Sequence, residues 1–139
     1  MTVTKIHSLL IGDELERKQY EPISRVQLAK YAGASGDYNP LHLDDDFAKK
    51  IGMEKAIAHG MLIMGILGEY VMEIVKDEAF VSNFKMRFGK MTFPGDTIHC
   101  VGKVKDMFLL NEKQHIVLKV TAIKNETEVV GSGSATLIL

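Results

Sequence analysis

The sequence predicts an α+β fold in which a curved antiparallel sheet wraps one long apolar helix. Three observations predict it. The run Met61–Val75 is apolar on nearly every side, so a helix there needs cover on most of its surface. Four segments after it alternate apolar and polar residues with the period of a strand. The segments before the run read mainly as short helices and loops. Strands gathered after the helices suit an α+β layer, not an alternating parallel sheet.

The bulk properties frame this reading. The chain has 139 residues, 46% of them apolar and 25% charged, which suits a single domain over residues 1–139. A formal net charge of -1 gives no overall field that would draw in nucleic acid or an anionic membrane. Cys100 is the single cysteine, so no internal disulfide framework exists, and a reducing compartment is expected. Glu69 and Glu73 interrupt the apolar run, which is too short to span a bilayer. No charged-then-apolar leader is recognised at the start. The expectation is a cytoplasmic protein.

Taken in order, Glu14 to Pro22 is expected to form a first strand of weak alternation. Ser24-Arg25-Val26-Gln27 has the form of a capping box, with a hydroxyl at the N-cap and an amide three residues on. Val26, Ala29 and Ala32 then recur at helical spacing up to Gly33. Ser35-Gly36-Asp37-Tyr38-Asn39-Pro40 is rich in loop formers, and Pro40 biases Asn39 away from helix. Asp44 to Ile51 reads as a short helix with an acidic first turn, closed by Gly52. Gly65 and Gly68 in the long helix each cost about 1 kcal/mol against alanine, which suggests close packing of its backbone. Alternating runs around Phe80–Phe88, Ile98–Val104, Ile116–Ala122 and Gly131–Leu137 supply the strands.

Three places carry candidate chemistry. Asp37 and His42 lie five residues apart across a proline-containing loop, which can turn both side chains to one point. A carboxylate and an imidazole around one water make an acid–base device. On spacing alone, a loop-capping Asp37 and an ordinary half-buried His42 are the more frequent reading. His59-Gly60 opens the long helix. Its free N–H groups and helix dipole suit a carbonyl oxygen that gains charge, while Gly60 as a mere tight entry and His59 as a packing or capping residue stand beside that. His42-Leu43-Asp44-Asp45-Asp46 invites a metal, but the acidic residues suit a helix start and no ligand spacing completes a site. Gly131-Ser132-Gly133 lacks the helix that a phosphate loop needs. Lys85, Arg87 and Lys90 form a modest basic patch, either a solvated strand face or a place for a carrier's phosphates.

The run Ser35 to Asp44, followed by Ile57-Ala58-His59-Gly60-Met61-Leu62 and later Phe93-Pro94-Gly95-Asp96-Thr97, closely resembles the MaoC-like (R)-specific enoyl-CoA hydratases. The order of elements is similar over nearly the whole chain. The paired motifs reverse the weighting that spacing alone gave to Asp37 and His42.

The resemblance implies a hotdog fold, assembled as a homodimer with active sites near the subunit interface. It implies that Asp37 and His42 activate one water, which adds to C3 of a trans-2-enoyl thioester while C2 takes a proton on the same face. It maps the backbone donor for the thioester carbonyl onto Gly60, and gives Asn39 a supporting role in the loop. The substrate would be an acyl-CoA or an acyl carrier protein thioester, with neither metal nor cofactor. Some members carry a serine where this chain has Gly68, so that polar contact is absent here. Competing readings are a 3-hydroxyacyl carrier-protein dehydratase using the same residues, a non-catalytic acyl-thioester-binding module and a hotdog thioesterase.

Overall fold

The computed structural model describes residues 2–3 and 5–139. The strands are β1 (Thr2–Val3), β2 (Glu14–Leu15), β3 (Lys18–Gln19), β4 (Phe80–Phe88), β5 (Ile98–Leu110), β6 (Lys113–Lys124) and β7 (Glu128–Ile138). The helices are α1 (Arg25–Ser35), α2 (Asp45–Lys50) and α3 (Gly60–Val75). All strands join one sheet in the order β1-β2-β5-β6-β7-β4, with β3 also pairing β5. Every pairing is antiparallel except β1 with β2.

The core lies between α3 and one face of this sheet. Ile63, Ile66, Leu67, Tyr70, Val71 and Val75 are the buried residues of α3. Val104, Leu118, Val120, Ala122 and Ala135 are buried in the strands facing them. Burial of each large aliphatic chain is worth about 1.5–3 kcal/mol. Alternation places Lys85 and Arg87 of β4 on the opposite side from Phe84, Met86 and Phe88, where both cations are exposed.

Three expectations need correction. The first strand is not continuous from Glu14 to Pro22. It breaks at Glu16–Arg17, and the pairing to β5 slips by one residue between Glu14–Lys103 and Lys18–Cys100. The Tyr70 hydroxyl donates to the Glu16 carbonyl oxygen at 2.7 Å in the break. In α1 the buried stripe is Leu28 and Ala32, whereas Val26 and Ala29 face solvent, and the helix passes Gly33 to end at Gly36 in the left-handed region (φ 77°). In α3, a side chain at Gly65 would meet nothing within 4 Å, so that glycine answers no close approach among the described residues. Gly68 does face a neighbour, the Phe84 ring, at 3.4 Å from an added Cβ.

Other local chemistry follows the sequence. Ser24 Oγ accepts from the Gln27 N–H and Gln27 Oε1 from the Ser24 N–H, completing the capping box. β5 and β6 run past their alternating cores into a long hairpin, turned at Asn111 and Glu112, both at positive φ.

Candidate active site

The loop after α1 is built from short side-chain turns. The Asp37 N–H donates to Ser35 Oγ (3.2 Å), the Asn39 N–H to Asp37 Oδ1 (3.2 Å) and the Leu41 N–H to Asn39 Oδ1 (3.0 Å). Asp and Asn suit these positions because their short side chains accept from backbone two residues on. Asn39 (φ -55°, ψ 123°) lies outside the helical region, as a residue before proline should, and Pro40 opens a single 3-10 turn ending at His42. The outcome places Asp37 Oδ2 3.7 Å from His42 Nε2. The His42 side chain is 11% exposed and that of Asp37 50%, so one partner is dry and the other meets solvent.

The orientation of the His42 ring is fixed from behind. Its Nδ1 lies 2.8 Å from the Ile57 carbonyl oxygen, which only accepts. Nδ1 therefore carries the proton when the ring is neutral, and Nε2 offers a lone pair towards Asp37. The segment that supplies Ile57 is itself pinned. The Ile57 N–H donates to Leu41 O, and the Ala56 N–H donates to Asp45 Oδ1 at 2.9 Å. Arg25 grips the same Asp45 carboxylate with two 3.0 Å contacts. The Ala56 N–H and then Arg25 hold the Asp45 carboxyl below its ordinary range. Asp44 meanwhile caps α2 through the Asp46 and Phe47 N–H groups. The acidic run thus serves the start of α2, as the sequence suggested, and in addition a strap that the sequence did not reveal.

His59 is the residue whose place sequence reasoning underrated. It makes no side-chain cap to α3. Instead its ring is 2% exposed and stacks on His42, with centroids 3.8 Å apart and planes 25° from parallel. Its Nε2 donates to the Asp37 carbonyl oxygen at 3.2 Å, and the Tyr31 ring meets it edge-on at 4.8 Å. Burial, partly offset by the bond to the Asp37 carbonyl and reinforced by His42, pushes its proton affinity below the usual histidine range. The one available signal was its place beside Gly60 in the second motif.

Gly60 is the first residue of α3 and follows His59 directly. Neither the Gly60 nor the Met61 N–H finds an acceptor among the described residues, as expected for a helix start. Gly60 lies against the Phe88 ring at the end of β4, which an added Cβ would approach to 3.1 Å. The structure therefore brings Asp37, Asn39 and His42 together on one loop, with Gly60 beyond the ring stacked on His42.

Donor atoms of Asp37, His42 and His59 all lie within 4.8 Å of one another. As a cation site the trio fits poorly. Imidazole lone pairs lie in the ring planes, and the two rings are stacked in near-parallel planes, each with one nitrogen already committed to a backbone carbonyl. Among the described residues no helix is long and apolar enough to cross a membrane.

Comparisons with known proteins bear on the family and the fold. Residues 7–126 match the family described as MaoC like domain. The mitochondrial 3-hydroxyacyl-[acyl-carrier-protein] dehydratase of Arabidopsis thaliana is 32% identical over 134 residues, 94% of this chain and 78% of that protein. The peroxisomal multifunctional enzyme type 2 of Mus musculus is 45% identical over 67 residues, 46% of this chain, and the match spans only 9% of that protein's length. Among solved structures, an (R)-hydratase from A. caviae involved in PHA biosynthesis superposes with a TM-score of 0.82 at 25% identity, covering 95% of this chain and 98% of that one.

Proposed function

From the premise that the chain belongs to the MaoC-like domain family, a family of hydratase and dehydratase hydro-lyases, we propose that it is an (R)-specific enoyl-CoA hydratase. The observation that carries this reading is the 3.7 Å approach of Asp37 Oδ2 to Nε2 of His42, the ring nitrogen turned away from the Ile57 carbonyl. That distance is too long for a direct hydrogen bond and short enough for both groups to hold one water.

In this reading the water oxygen bonds to C3 of a trans-2-enoyl thioester. The pair of Asp37 and His42 takes the water's proton and returns one to C2 on the same face, so the carbon–carbon π bond is replaced by C–O and C–H bonds. Electron density passes through the thioester carbonyl during the attack. The Gly60 N–H at the start of α3 is assigned to the carbonyl oxygen, where a fixed donor helps most as charge develops. Asn39 is assigned the support of the loop, because its carboxamide holds the turn that carries His42. No cofactor enters these steps. The single buried thiol of Cys100 suits a reducing location, and we assign the cytoplasm.

A second copy of the chain is part of the proposal. β4 is an edge strand whose Phe80 and Phe88 are exposed, and Met61 and Met72 stand exposed on α3. Such apolar surface favours burial against a partner. A monomeric mass by light scattering would overturn the homodimer.

A second reading rests on the Arabidopsis relative that spans nearly the whole chain: removal of water from a 3-hydroxyacyl group on acyl carrier protein. The same residues would act in reverse. The experiment follows the conjugated enoyl-thioester absorbance when protein is added to crotonyl-CoA, with Asp37→Asn as control. Loss of absorbance with (R)-3-hydroxybutyryl-CoA as product supports the hydratase. Turnover confined to the carrier-protein substrate supports the dehydratase. Acyl-thioester binding without turnover on either carrier defeats both and leaves a binding module.

A further inference from the structure

We propose that His59 is a positioning residue of the hydration site, holding the Asp37 loop and the His42 ring in register through two different faces of one neutral imidazole. The inference rests on the hydratase reading and extends it to a residue outside the acid–base pair.

Three observations carry it. First, the edge of the ring holds the loop. His59 Nε2 donates to the Asp37 carbonyl oxygen at 3.2 Å, and because a carbonyl only accepts, Nε2 must bear the proton. The bond joins the start of α3 to the residue whose carboxylate faces His42. Second, the flat of the ring holds the other partner. Stacking at 3.8 Å and 25° restricts the His42 ring from one side while the Ile57 carbonyl fixes it in its own plane. An imidazole held in plane and across the plane has one orientation left for Nε2. Third, the opposite nitrogen of His59 is buried and has no hydrogen-bond partner among the described residues. A proton there would place a cation in a dry site against a second imidazole, so the ring is kept neutral. The titratable groups facing it are Asp37 and His42 from the loop and Tyr31 from α1.

The division of labour follows. His42 presents its Nε2 to Asp37, whereas the Nε2 of His59 is committed to the Asp37 carbonyl. His59 itself touches neither the water nor the thioester in this scheme. Its neighbour Gly60 supplies the carbonyl donor, so the same short segment aligns the acid–base pair and the oxyanion site.

The test combines spectroscopy with kinetics on the full chain. In ¹⁵N spectra of wild-type protein, His59 is expected as the Nε2–H tautomer, taking up its second proton at a lower pH than an ordinary histidine does. A His59 that carries its proton on Nδ1, or that takes up its second proton no later than an ordinary histidine, overturns the proposal. His59→Ala is expected to lower kcat by about tenfold or more while KM for crotonyl-CoA moves less than about threefold, as a misaligned reacting pair should. His59→Gln returns an N–H near the place of Nε2 and is expected to recover at least about threefold of the loss. A folded His59→Ala protein with kcat within about threefold of wild type, or with its whole loss in KM, sinks the idea. If the alanine variant fails to fold, the glutamine variant and the spectra decide. A wild-type protein that hydrates no enoyl thioester, yet gives the expected His59 spectrum, overturns the hydratase reading instead.

Discussion

Lys124 Nζ reaches Asp96 Oδ2 at 3.1 Å from the end of β6, and this largely buried pair fastens the loop that braces the segment entering α3. The same ammonium donates to the Met91 carbonyl oxygen at 2.7 Å, and Asp96 Oδ2 accepts from the Phe93 N–H at 2.8 Å. One residue from Met91, the Thr92 carbonyl accepts the Ala58 N–H at 2.8 Å, immediately before His59. A charge pair on the sheet is thus linked through three bonds to the start of α3.

Lys124→Met removes one partner and leaves the largely buried Asp96 without its cation. Breaking a buried pair in this way costs about 3 kcal/mol. Urea unfolding should show a lower midpoint with an unchanged slope; a midpoint equal to wild type would mean that the pair contributes nothing net.

Asp96 also predicts an acid limb of stability. Burial alone would raise its carboxyl, but the Phe93 N–H, Asn125 and Lys124 outweigh burial and hold it below the ordinary range. Its contribution is therefore complete above the unfolded value near about 4, and is lost as pH falls through the lower native value. Thermal midpoints measured from about pH 5 down to pH 2 should fall less steeply for Asp96→Asn than for wild type. Parallel curves would refute the assignment.

Asp37→Asn and His42→Ala should each lower turnover by about 10²–10⁴-fold, the usual worth of a positioned acid or base. Asp37 is half-exposed and its loop bonds survive in asparagine, so the unfolding midpoint of Asp37→Asn should move by less than about 0.5 kcal/mol equivalent. Folded variants with near-normal rates would remove the pair from the reaction.

Gly60→Ala tests the helix entrance without removing its N–H. The new methyl would meet the Phe88 ring at 3.1 Å, and that ring is exposed enough to swing aside. Stability should change by less than about 1 kcal/mol, because the helix gain of alanine offsets the crowding. If the proposed carbonyl site at Gly60 holds, turnover should fall, since the methyl and the displaced Phe88 ring crowd that helix entrance. Phe88→Ala in the same chain should restore it; an unaltered rate in Gly60→Ala would place the carbonyl elsewhere.

Much of the fold was legible because it depends on local chemistry. Ser24 and Gln27 specify a helix start by reciprocal bonds that need only four residues. The alternation along Ile116–Ala122 marks one buried face whatever its partner strands. The apolar run that became α3 needs cover on most sides, and a sheet after it in the chain can supply that cover. The first strand was misjudged because its break at Glu16–Arg17 comes from a one-residue slip against β5, and register belongs to a pair of strands, not to one. Val26, Ala29 and Ala32 recur at helical spacing, yet only Ala32 of the three is buried, because several apolar stripes satisfy that spacing and only neighbouring elements choose among them.

By itself the sequence determined the loop that carries Asp37, Asn39 and His42. Its turns are closed by side chains bonding to backbone two residues away, so their information is contiguous. Tertiary structure alone decided how that loop meets the rest of the site. His59 stacks on a residue 17 positions earlier, and Ile57 orients His42 across 15. Ring stacking and a bond to a distant carbonyl leave no periodic trace in composition or spacing, because any loop length that closes the distance satisfies them.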